Sequence, residues 1–315
     1  MKNKEPYNAL NSQVKLEKIL EEYMFSKKLY VKESTYCRYY STLNNHILPF
    51  LKKESPNNQK VQNYLFSLLK QGYSEKTVND IWGIMKNFLR FSRSRDFDFG
   101  IDISQINIKK RKSEVHYLEI EDQKKLCSYL IEHISYKNYG ILLALYTGIR
   151  IGELCALKWE DIDLNSDTLS VTKTMIRIPD VFEQNSNGKT KVIITRPKSD
   201  DSIRDIPLPH FLSKIAKNLK TNPDSFILSG SSNYIEPRNM QYYFHKTLGI
   251  NGIKIINFHA LRHTFATRCI ENSFDIKTLS EILGHSNVKT TLELYVHSSM
   301  ELKRKNMDKL PFIHA

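Results

Sequence analysis

Apolar residues recur at helical spacing in four segments between residues 8 and 95, and turn-forming residues separate these segments. The first segment has its apolar face at Leu16, Ile19, Leu20 and Tyr23. The second begins near Glu33 and is expected to end before Pro49, because proline interrupts a helix. The third covers residues 57–71, and Ser74 is a suitable N-cap for the fourth. This periodicity predicts an all-helical N-terminal domain.

The pattern becomes mixed in the rest of the chain. Helices are predicted at about 119–135, 138–147, 151–157, 209–220, 237–248, 259–272, 275–283 and 287–297. Strand-like segments lie between them at 168–178, 191–195 and 202–206. Gly284 is placed to end a helix in the left-handed conformation, with His285 on the following turn. The fold class predicted for the chain is therefore mainly α with a small β-sheet, an all-helical domain preceding a mixed α+β domain.

A segment without periodicity separates the two parts. The hydrophobic pattern is lost between Asp96 and Glu114, and residues 109–112 are four consecutive basic residues. We expect a helical domain at 1–98, a basic linker at 99–113, a second domain at 114–298 and a tail at 299–315. The tail combines apolar and basic residues, which predicts a short amphipathic helix that either docks on a neighbouring molecule or folds back.

The chain is basic, and its excess charge is uneven. Its formal net charge is +13 and its pI is near 9.3. Residues 1–112 carry 21 Lys and Arg against 11 Asp and Glu, whereas residues 113–315 carry 26 against 23. Such an excess indicates either a polyanionic partner, with nucleic acid as the first candidate, or a solvated basic surface. A linker that crosses a DNA backbone would also use a basic run.

Cysteine usage and hydropathy limit the cellular compartment. The chain has four cysteines, at Cys37, Cys127, Cys155 and Cys269. They form no CxxC pair, which favours free thiols in a reducing compartment over disulfides or a zinc site. The N-terminal residues have no apolar stretch of signal-peptide length, and no segment approaches the roughly 20 apolar residues that span a bilayer. We expect a soluble, cytoplasmic protein without a membrane partner.

Six residues of the second domain form a pattern that suits phosphodiester chemistry without a metal. They are Arg150, Lys198, His259, Arg262, His285 and Tyr295. Guanidinium groups bind the non-bridging oxygens of a phosphate, a tyrosine can attack phosphorus, and lysine or histidine can transfer protons. The pattern indicates an enzyme that breaks phosphodiester bonds.

Arg150 lies in the string TGIRIGEL, on a glycine-flanked turn that opens a helix. Backbone can approach a ligand closely at such a turn, and a guanidinium fits two phosphate oxygens. The alternative is a structural ion pair with Glu153, which could also orient a neighbouring basic side chain. His285 follows a helix end in the string LGHS, where its ring can face a cleft.

His259 and Arg262 are three residues apart in the string HALRHTFAT, so both can contact one phosphate from a helix. His263 allows a competing zinc site, because it lies four residues after His259. That site lacks the glutamate of an HExxH motif and has no evident third ligand. Phosphate binding is therefore favoured over zinc binding.

Lys198 and Tyr295 are less distinctive by themselves. Lys198 lies between two strand-like segments, and a lysine at a hairpin tip can protonate a leaving alkoxide, but Lys189 and Lys191 are nearly as suitable. Tyr295 is one of 17 tyrosines, and an unperturbed phenol has a pKa near ~10. Nearby arginines would favour its ionised form, and a histidine could accept the proton.

The identity and order of these six residues resemble those of the tyrosine recombinase (phage integrase) family. Its members carry Arg, a hairpin Lys, His-x-x-Arg, His or Trp, and Tyr. The string KSDDSIRDIPL is typical of the family's hairpin lysine, so the resemblance favours Lys198 over its rivals. The resemblance is strong over residues 113–300, the catalytic domain. It is looser for the helical segment, which is similar to the family's SAM-like core-binding domain.

The resemblance implies a role for each residue. Arg150 and Arg262 would clamp the scissile phosphate, and Tyr295 would attack it to form a 3′-phosphotyrosine. Lys198 would act as general acid on the 5′-oxygen. His259 and His285 would assist proton transfer and stabilise charge.

The resemblance also implies partners and a task. The expected partners are double-stranded DNA and an excisionase or another accessory DNA-bending protein. The protein is expected to act as a homotetramer on two DNA sites. No cofactor and no metal are expected. Integration or excision of a mobile element is the favoured task, with resolution of chromosome dimers second. This chain begins almost directly at the core-binding helices, so recognition of distant arm sites by a further N-terminal domain is not expected.

Two other functions remain open. A type IB topoisomerase would share the chemistry but relax supercoils as a monomer, and strand exchange between two duplexes separates the two activities. A non-enzymatic DNA-binding regulator would form no covalent adduct with DNA.

Overall fold

The structure is a computed structural model that describes residues 9–53, 56–106, 116–181, 190–197, 200–295, 304 and 307–308. Its contacts divide the chain into two compact units. The first unit comprises residues 1–113 with 178–191, and the second comprises residues 114–177 with 192–315. Residues 178–191 thus group with the N-terminal part, which the division predicted from the sequence did not include. No helix of the described ranges is long and apolar enough to cross a membrane.

The described residues of the first unit before residue 107 form helices and their connections, whereas Ile178, Pro179, Thr190 and Lys191 lie in strands. Its helices are α1 (Ala9–Tyr30), α2 (Glu33–Thr42), α3 (Leu48–Lys53), α4 (Asn58–Lys70) and α5 (Glu75–Arg93). The predicted N-cap of the last helix is confirmed, since the Ser74 hydroxyl accepts a hydrogen bond from the Thr77 N–H at 3.1 Å. The apolar stripe of α5, which includes Trp82, Met85 and Phe88, is buried in the core as its spacing predicts.

The prediction that the second helix ends before Pro49 is wrong. Helical backbone continues from α2 through a π-helical segment, Leu43–Ile47, into α3. Proline has no N–H and crowds the carbonyl four residues before it. In the wider π turn the Leu48 N–H donates to the carbonyl of Leu43, five residues back. This turn shifts the carbonyls just ahead of Pro49, so the helix changes its hydrogen bonding instead of ending.

The second unit is mixed. Its helices are α6 (Ile120–Glu132), α7 (Tyr136–Thr147), α8 (Ile151–Ala156), α9 (His210–Leu219), α10 (Pro237–Ile250), α11 (His259–Glu271), α12 (Ile276–Leu283) and α13 (Val288–Tyr295). The strands are β1 (Ile162–Asp163), β2 (Thr168–Val171), β3 (Thr174–Pro179), β4 (Thr190–Thr195) and β5 (Arg204–Pro207). They form an antiparallel sheet in the order β1-β2-β5 and a two-stranded sheet of β3 and β4. The predicted class, mainly α with little β-structure, is confirmed.

The single strand predicted at 168–178 is wrong, because this segment forms two strands in different sheets. Leu169 of β2 pairs with Ile206 of β5, whereas β3 pairs with β4. At the break, the Lys173 ammonium lies 3.2 Å from the carboxylate of Glu160. Leu169 and Val171 of β2 and Met175 of β3 are buried and keep the same two-residue phase on both sides of the break, so the sequence pattern does not reveal the change of sheet.

Helix α7 positions Arg150, which follows its C-terminal end. Its residues 138–145 are buried, so the helix runs through the core, and its end is fixed there. Gly148 ends α7 with φ +65°, and a Cβ at this position would lie 2.6 Å from the ring of Phe265. Only glycine satisfies both the left-handed backbone and this packing. The turn therefore delivers Arg150 to the N-terminus of α8.

Candidate active site

Four of the six residues predicted from the sequence lie around one pocket of the second unit. The pocket has a volume of about 520 Å³, and Arg150, His259, Arg262 and His285 are among its lining residues. Lys198 lies outside the described residues. Tyr295 is the last residue of α13, and its side chain is likewise outside the described part.

Arg150 is held at the N-terminus of α8 by Glu153. The Arg150 guanidinium Nη1 donates to Glu153 Oε1 at 2.7 Å, and the Arg150 backbone N–H donates to Glu153 Oε2 at 3.0 Å. The Arg150 side chain remains 36% exposed, whereas that of Glu153 is 2% exposed. The ion pair with Glu153 and the guanidinium that faces a pocket were alternatives from the sequence, and Arg150 combines both.

Arg262 is buried, at 4% exposure, and its guanidinium bridges two turns. Nη1 donates to the carbonyl of Gly148 at 2.9 Å, and Nη2 donates to the carbonyl of Leu283 at 2.7 Å. Burial, and then repulsion from Arg150, lower the pKa of Arg262, although a guanidinium still stays protonated at neutral pH. Its positive charge is therefore fixed in place and only partly neutralised.

Three arginines converge on the end of α12. The consecutive carbonyls of Ile282, Leu283 and Gly284 accept hydrogen bonds from Arg204, Arg262 and Arg150, respectively. Gly284 has φ +63°, as predicted for a left-handed helix end. Cations are favourable at the C-terminus of a helix, where carbonyls lack partners within the helix. These contacts fix the turn that carries His285.

Arg204 is a residue of this site that the sequence interpretation did not single out. Its side chain is 6% exposed, and its Nη2 donates to Glu153 Oε2 at 3.0 Å. Burial by itself raises the pKa of Glu153, but Arg204 and then Arg150 outweigh this effect and lower it overall. Glu153 is therefore ionised at neutral pH and shared between the two arginines. The one available signal was the Arg in the string KSDDSIRDIPL, which was used only to identify the lysine.

Two of the three histidines that line the pocket, His259 and His285, are neutral at physiological pH. Desolvation, followed by the charges of neighbouring residues that include Arg262 and Arg150, lowers the pKa of His259 to about 4 and that of His285 to about 4. His285 Nδ1 lies 2.8 Å from the hydroxyl of Thr291, a buried residue of α13. This contact orients the ring and links it to the helix that ends at Tyr295. A neutral imidazole can both accept and donate a hydrogen bond.

The competing zinc interpretation gains little from the geometry. The rings of His259 and His263 are 4.7 Å apart between centroids and nearly perpendicular. Among the described ranges, no group of three or more His, Cys, Asp or Glu side chains is arranged to hold a metal ion. Two imidazoles alone are fewer than the three protein ligands of a catalytic zinc site.

Comparison with known proteins gives the family. Residues 116–301, more than half of the chain, match the phage integrase family, and residues 15–55 match the phage integrase N-terminal SAM-like domain. The chain therefore belongs to the phage integrase family. It is a tyrosine recombinase, an enzyme of site-specific DNA recombination.

Relatives and solved structures agree with this assignment. The tyrosine recombinase XerC-like protein of Caldanaerobacter subterraneus subsp. tengcongensis is 29% identical over 307 residues, covering 89% of this chain and 78% of the relative. The ICEBs1 integrase of Bacillus subtilis is 24% identical, covering 93% and 81%. The Tn1549 transposon integrase in complex with a circular intermediate DNA has a TM-score of 0.71 at 21% identity, covering 94% and 99%. A lambda integrase tetramer bound to a Holliday junction has a TM-score of 0.64 at 18% identity, covering 92% and 81%. These structures share the fold.

Proposed function

We propose that this recombinase integrates or excises a mobile DNA element through a 3′-phosphotyrosyl intermediate, as a homotetramer on two DNA sites. The observation that carries the proposal is the pocket in which Arg150 and Arg262 lie beside two neutral histidines. Such a pocket combines fixed positive charge with groups that can move protons, and it needs only a nucleophile to cut a phosphodiester.

The charge of the site favours the transition state over the bound DNA. The described charged side chains that meet behind and around the pocket are Arg150, Arg204, Arg262 and Glu153, which leave two positive charges uncompensated. A phosphodiester carries one negative charge, whereas the five-coordinate phosphorus of the transition state carries two. Electrostatic attraction therefore grows as the reaction proceeds, which is the condition for catalysis.

Tyr295 is the proposed nucleophile. It lies four residues after Thr291, so the two positions share one face of α13, the face from which Thr291 contacts His285. Attack by the Tyr295 oxygen on phosphorus forms the tyrosyl–phosphate bond and breaks the bond to the 5′-oxygen. His259 or His285 accepts the phenol proton. Rejoining is the reverse reaction, with a 5′-hydroxyl of the partner strand as nucleophile.

Lys198 is the proposed general acid for the departing 5′-oxygen. Pro197 and Ser202, which flank its segment, both line the pocket, so the chain reaches position 198 from the pocket wall. Its rival Lys191 is engaged elsewhere, because its ammonium lies 2.9 Å from the carboxylate of Glu33 and 3.7 Å from that of Asp180. A lysine in two ion pairs has its proton held more tightly, and the pKa of Lys191 is accordingly raised.

The task and the assembly are supported by the comparisons. The matches include an integrase, ICEBs1 integrase, and structures of a transposon integrase on DNA and of a lambda integrase tetramer on a Holliday junction. Strand exchange between two duplexes needs a pair of active sites on each, hence four protomers. An excisionase or another DNA-bending protein would then set the direction of the reaction.

The test lets the protein select its own target site. Purified protein is incubated with fragmented DNA from its own genome, and covalent adducts are isolated under denaturing conditions and sequenced. Adducts at the two ends of a mobile element are expected. Adducts at a single chromosomal site without flanking element ends would instead indicate chromosome-dimer resolution, and absence of adducts would refute the proposal.

Two variants identify the nucleophile in the same assay. Tyr295→Phe should bind DNA and form no adduct, because the ring keeps its size and loses the attacking oxygen. Tyr242→Phe is the matched control, since Tyr242 is a 74% exposed tyrosine of α10. An adduct that persists in Tyr295→Phe would assign the reaction to another tyrosine.

A further inference from the structure

Arg204 occupies the centre of the polar contacts behind the pocket, yet it does not line the pocket. Each guanidinium nitrogen has a defined acceptor in the second unit. Nε donates to the carbonyl of Ile282 at 2.6 Å, Nη1 to the carbonyl of Ser202 at 3.0 Å, and Nη2 to the carboxylate of Glu153 at 3.0 Å. A nearly buried guanidinium with all three nitrogens engaged is held in one position.

Two of these acceptors adjoin residues of the proposed reaction. Glu153 is the carboxylate that holds Arg150, whose own side chain is 36% exposed and needs such a partner to stay oriented. Ile282 lies two residues before Gly284, the glycine whose carbonyl binds Arg150 and after which His285 follows. The side chain of Arg204 therefore connects the N-terminus of α8 to the C-terminus of α12.

We propose that Arg204 is a positioning residue of this recombinase, which fixes Arg150 through Glu153 and His285 through the end of α12. The proposal rests on the function proposed above. It predicts that loss of Arg204 affects the rate of cleavage more than the affinity for DNA. The reason is that the phosphate ligands remain present but lose their alignment, and a small misalignment is costly for a reaction that depends on geometry.

The ionisation of Glu153 gives this role a signature that a general loss of stability would not produce. Glu153 faces Arg204 and Arg150, and burial by itself raises its pKa. Without Arg204 the carboxylate keeps one charged partner instead of two, so its pKa rises relative to that in the wild type. A protonated Glu153 holds Arg150 less firmly. The acid side of the pH–rate profile should therefore move to higher pH in a variant without the guanidinium.

The test compares Arg204→Met with Arg268→Met. Arg268 is a matched control, because its guanidinium also bonds a carboxylate, that of Glu271, and a backbone carbonyl, that of Leu118, in the same unit. Arg268 is not among the residues that line the pocket. Single-turnover adduct formation on the DNA mapped above is measured from about pH 4 to 9, together with DNA affinity and thermal stability.

The expected result is that Arg204→Met forms the adduct about 100-fold more slowly, with near-normal DNA affinity and the shifted acid limb. Arg268→Met should lose stability but keep the rate and the pH profile. Arg204→Lys retains a charge but not the fork of donors, so it should recover only part of the rate. This variant also decides the matter if Arg204→Met does not fold, because its pH profile reports the same contact with Glu153.

Two outcomes overturn the proposal. In the first, the Arg204 variants cleave at the wild-type rate. In the second, they lose rate and stability in parallel with Arg268→Met while the pH profile stays in place, which would mean that Arg204 only stabilises the fold. Absence of an adduct with the wild-type protein is a separate failure, that of the proposed function, and this role falls with it.

Discussion

Replacing Glu153 with glutamine should cost the second unit about 3 kcal/mol of unfolding free energy. Breaking one partner of a buried ion pair costs about 3–5 kcal/mol, because the other charge stays buried without compensation. The Glu153–Arg204 pair is buried, at 2% and 6% exposure, so its loss should be felt nearly in full. The Arg150 side chain is 36% exposed, and water screens most of what it loses. The glutamine oxygen can still cap the N–H of Arg150, which places the expected value at the low end.

The assay is thermal and urea-induced unfolding followed by circular dichroism. A loss of about 3 kcal/mol corresponds to a melting temperature lower by about 6–12 °C in a unit of this size. Glu271→Gln is the matched control, since this carboxylate is 40% exposed and bonds Arg268. An exposed pair of this kind contributes about 0–1 kcal/mol.

The difference in unfolding free energy between wild type and Glu153→Gln depends on pH with a definite sign. The folded pKa of Glu153 lies below its ordinary value of 4.5. The stabilisation is therefore complete above pH 4.5 and is lost as the pH falls through the folded pKa. The gap between wild type and Glu153→Gln should close in that acid range. A Glu153→Gln protein that unfolds within about 1 kcal/mol of wild type at neutral pH would refute the reasoning that this buried pair is a net stabiliser.

Three further predictions follow from the site. Lys198→Ala should cleave slowly and be rescued by a 5′-bridging sulfur, which leaves without a proton, whereas rescue of Lys191→Ala instead would transfer the acid role. Gly284→Ala should lower stability by about 1–2 kcal/mol because its backbone is left-handed, while Gly249→Ala, in open space within α10, should leave it unchanged or raise it. Cleavage should survive EDTA, because Arg150 and Arg262 supply the positive charge at the phosphate; loss of activity restored by zinc would contradict this.

Local patterns predicted the local parts of the structure. The stripe of α5 follows from helical periodicity, and the helix end at Gly284 follows from the one residue that tolerates a left-handed backbone. The π turn before Pro49 and the break between β2 and β3 were missed. Both depend on which hydrogen-bond partner the backbone selects, and side-chain spacing does not encode that choice.

The candidate site shows the same limit. Arg150 was identified from the motif TGIRIGEL, and its partner Glu153 lies only three residues away in the sequence. Arg204 was missed because its partners are distant in sequence, Glu153 by 51 residues and Ile282 by 78. A single sequence gives the residue types that suit a reaction, whereas the side chains that hold them in place are recognised only once the chain is folded.

The end of α12 affects how the kinetics of any arginine variant are to be interpreted. The Gly284 N–H donates to the carbonyls of Glu281 and Ser280, and the His285 N–H donates to that of Ser280. The three carbonyls from Ile282 onward accept hydrogen bonds from arginines. Alanine at Arg262 would thus delete a proposed phosphate ligand and also uncap the turn before His285. The measured loss would be a difference between two whole structures rather than the contribution of one guanidinium. Free guanidinium added to such a variant would refill the cap and the phosphate site together, so any rescue would report the sum of the two effects.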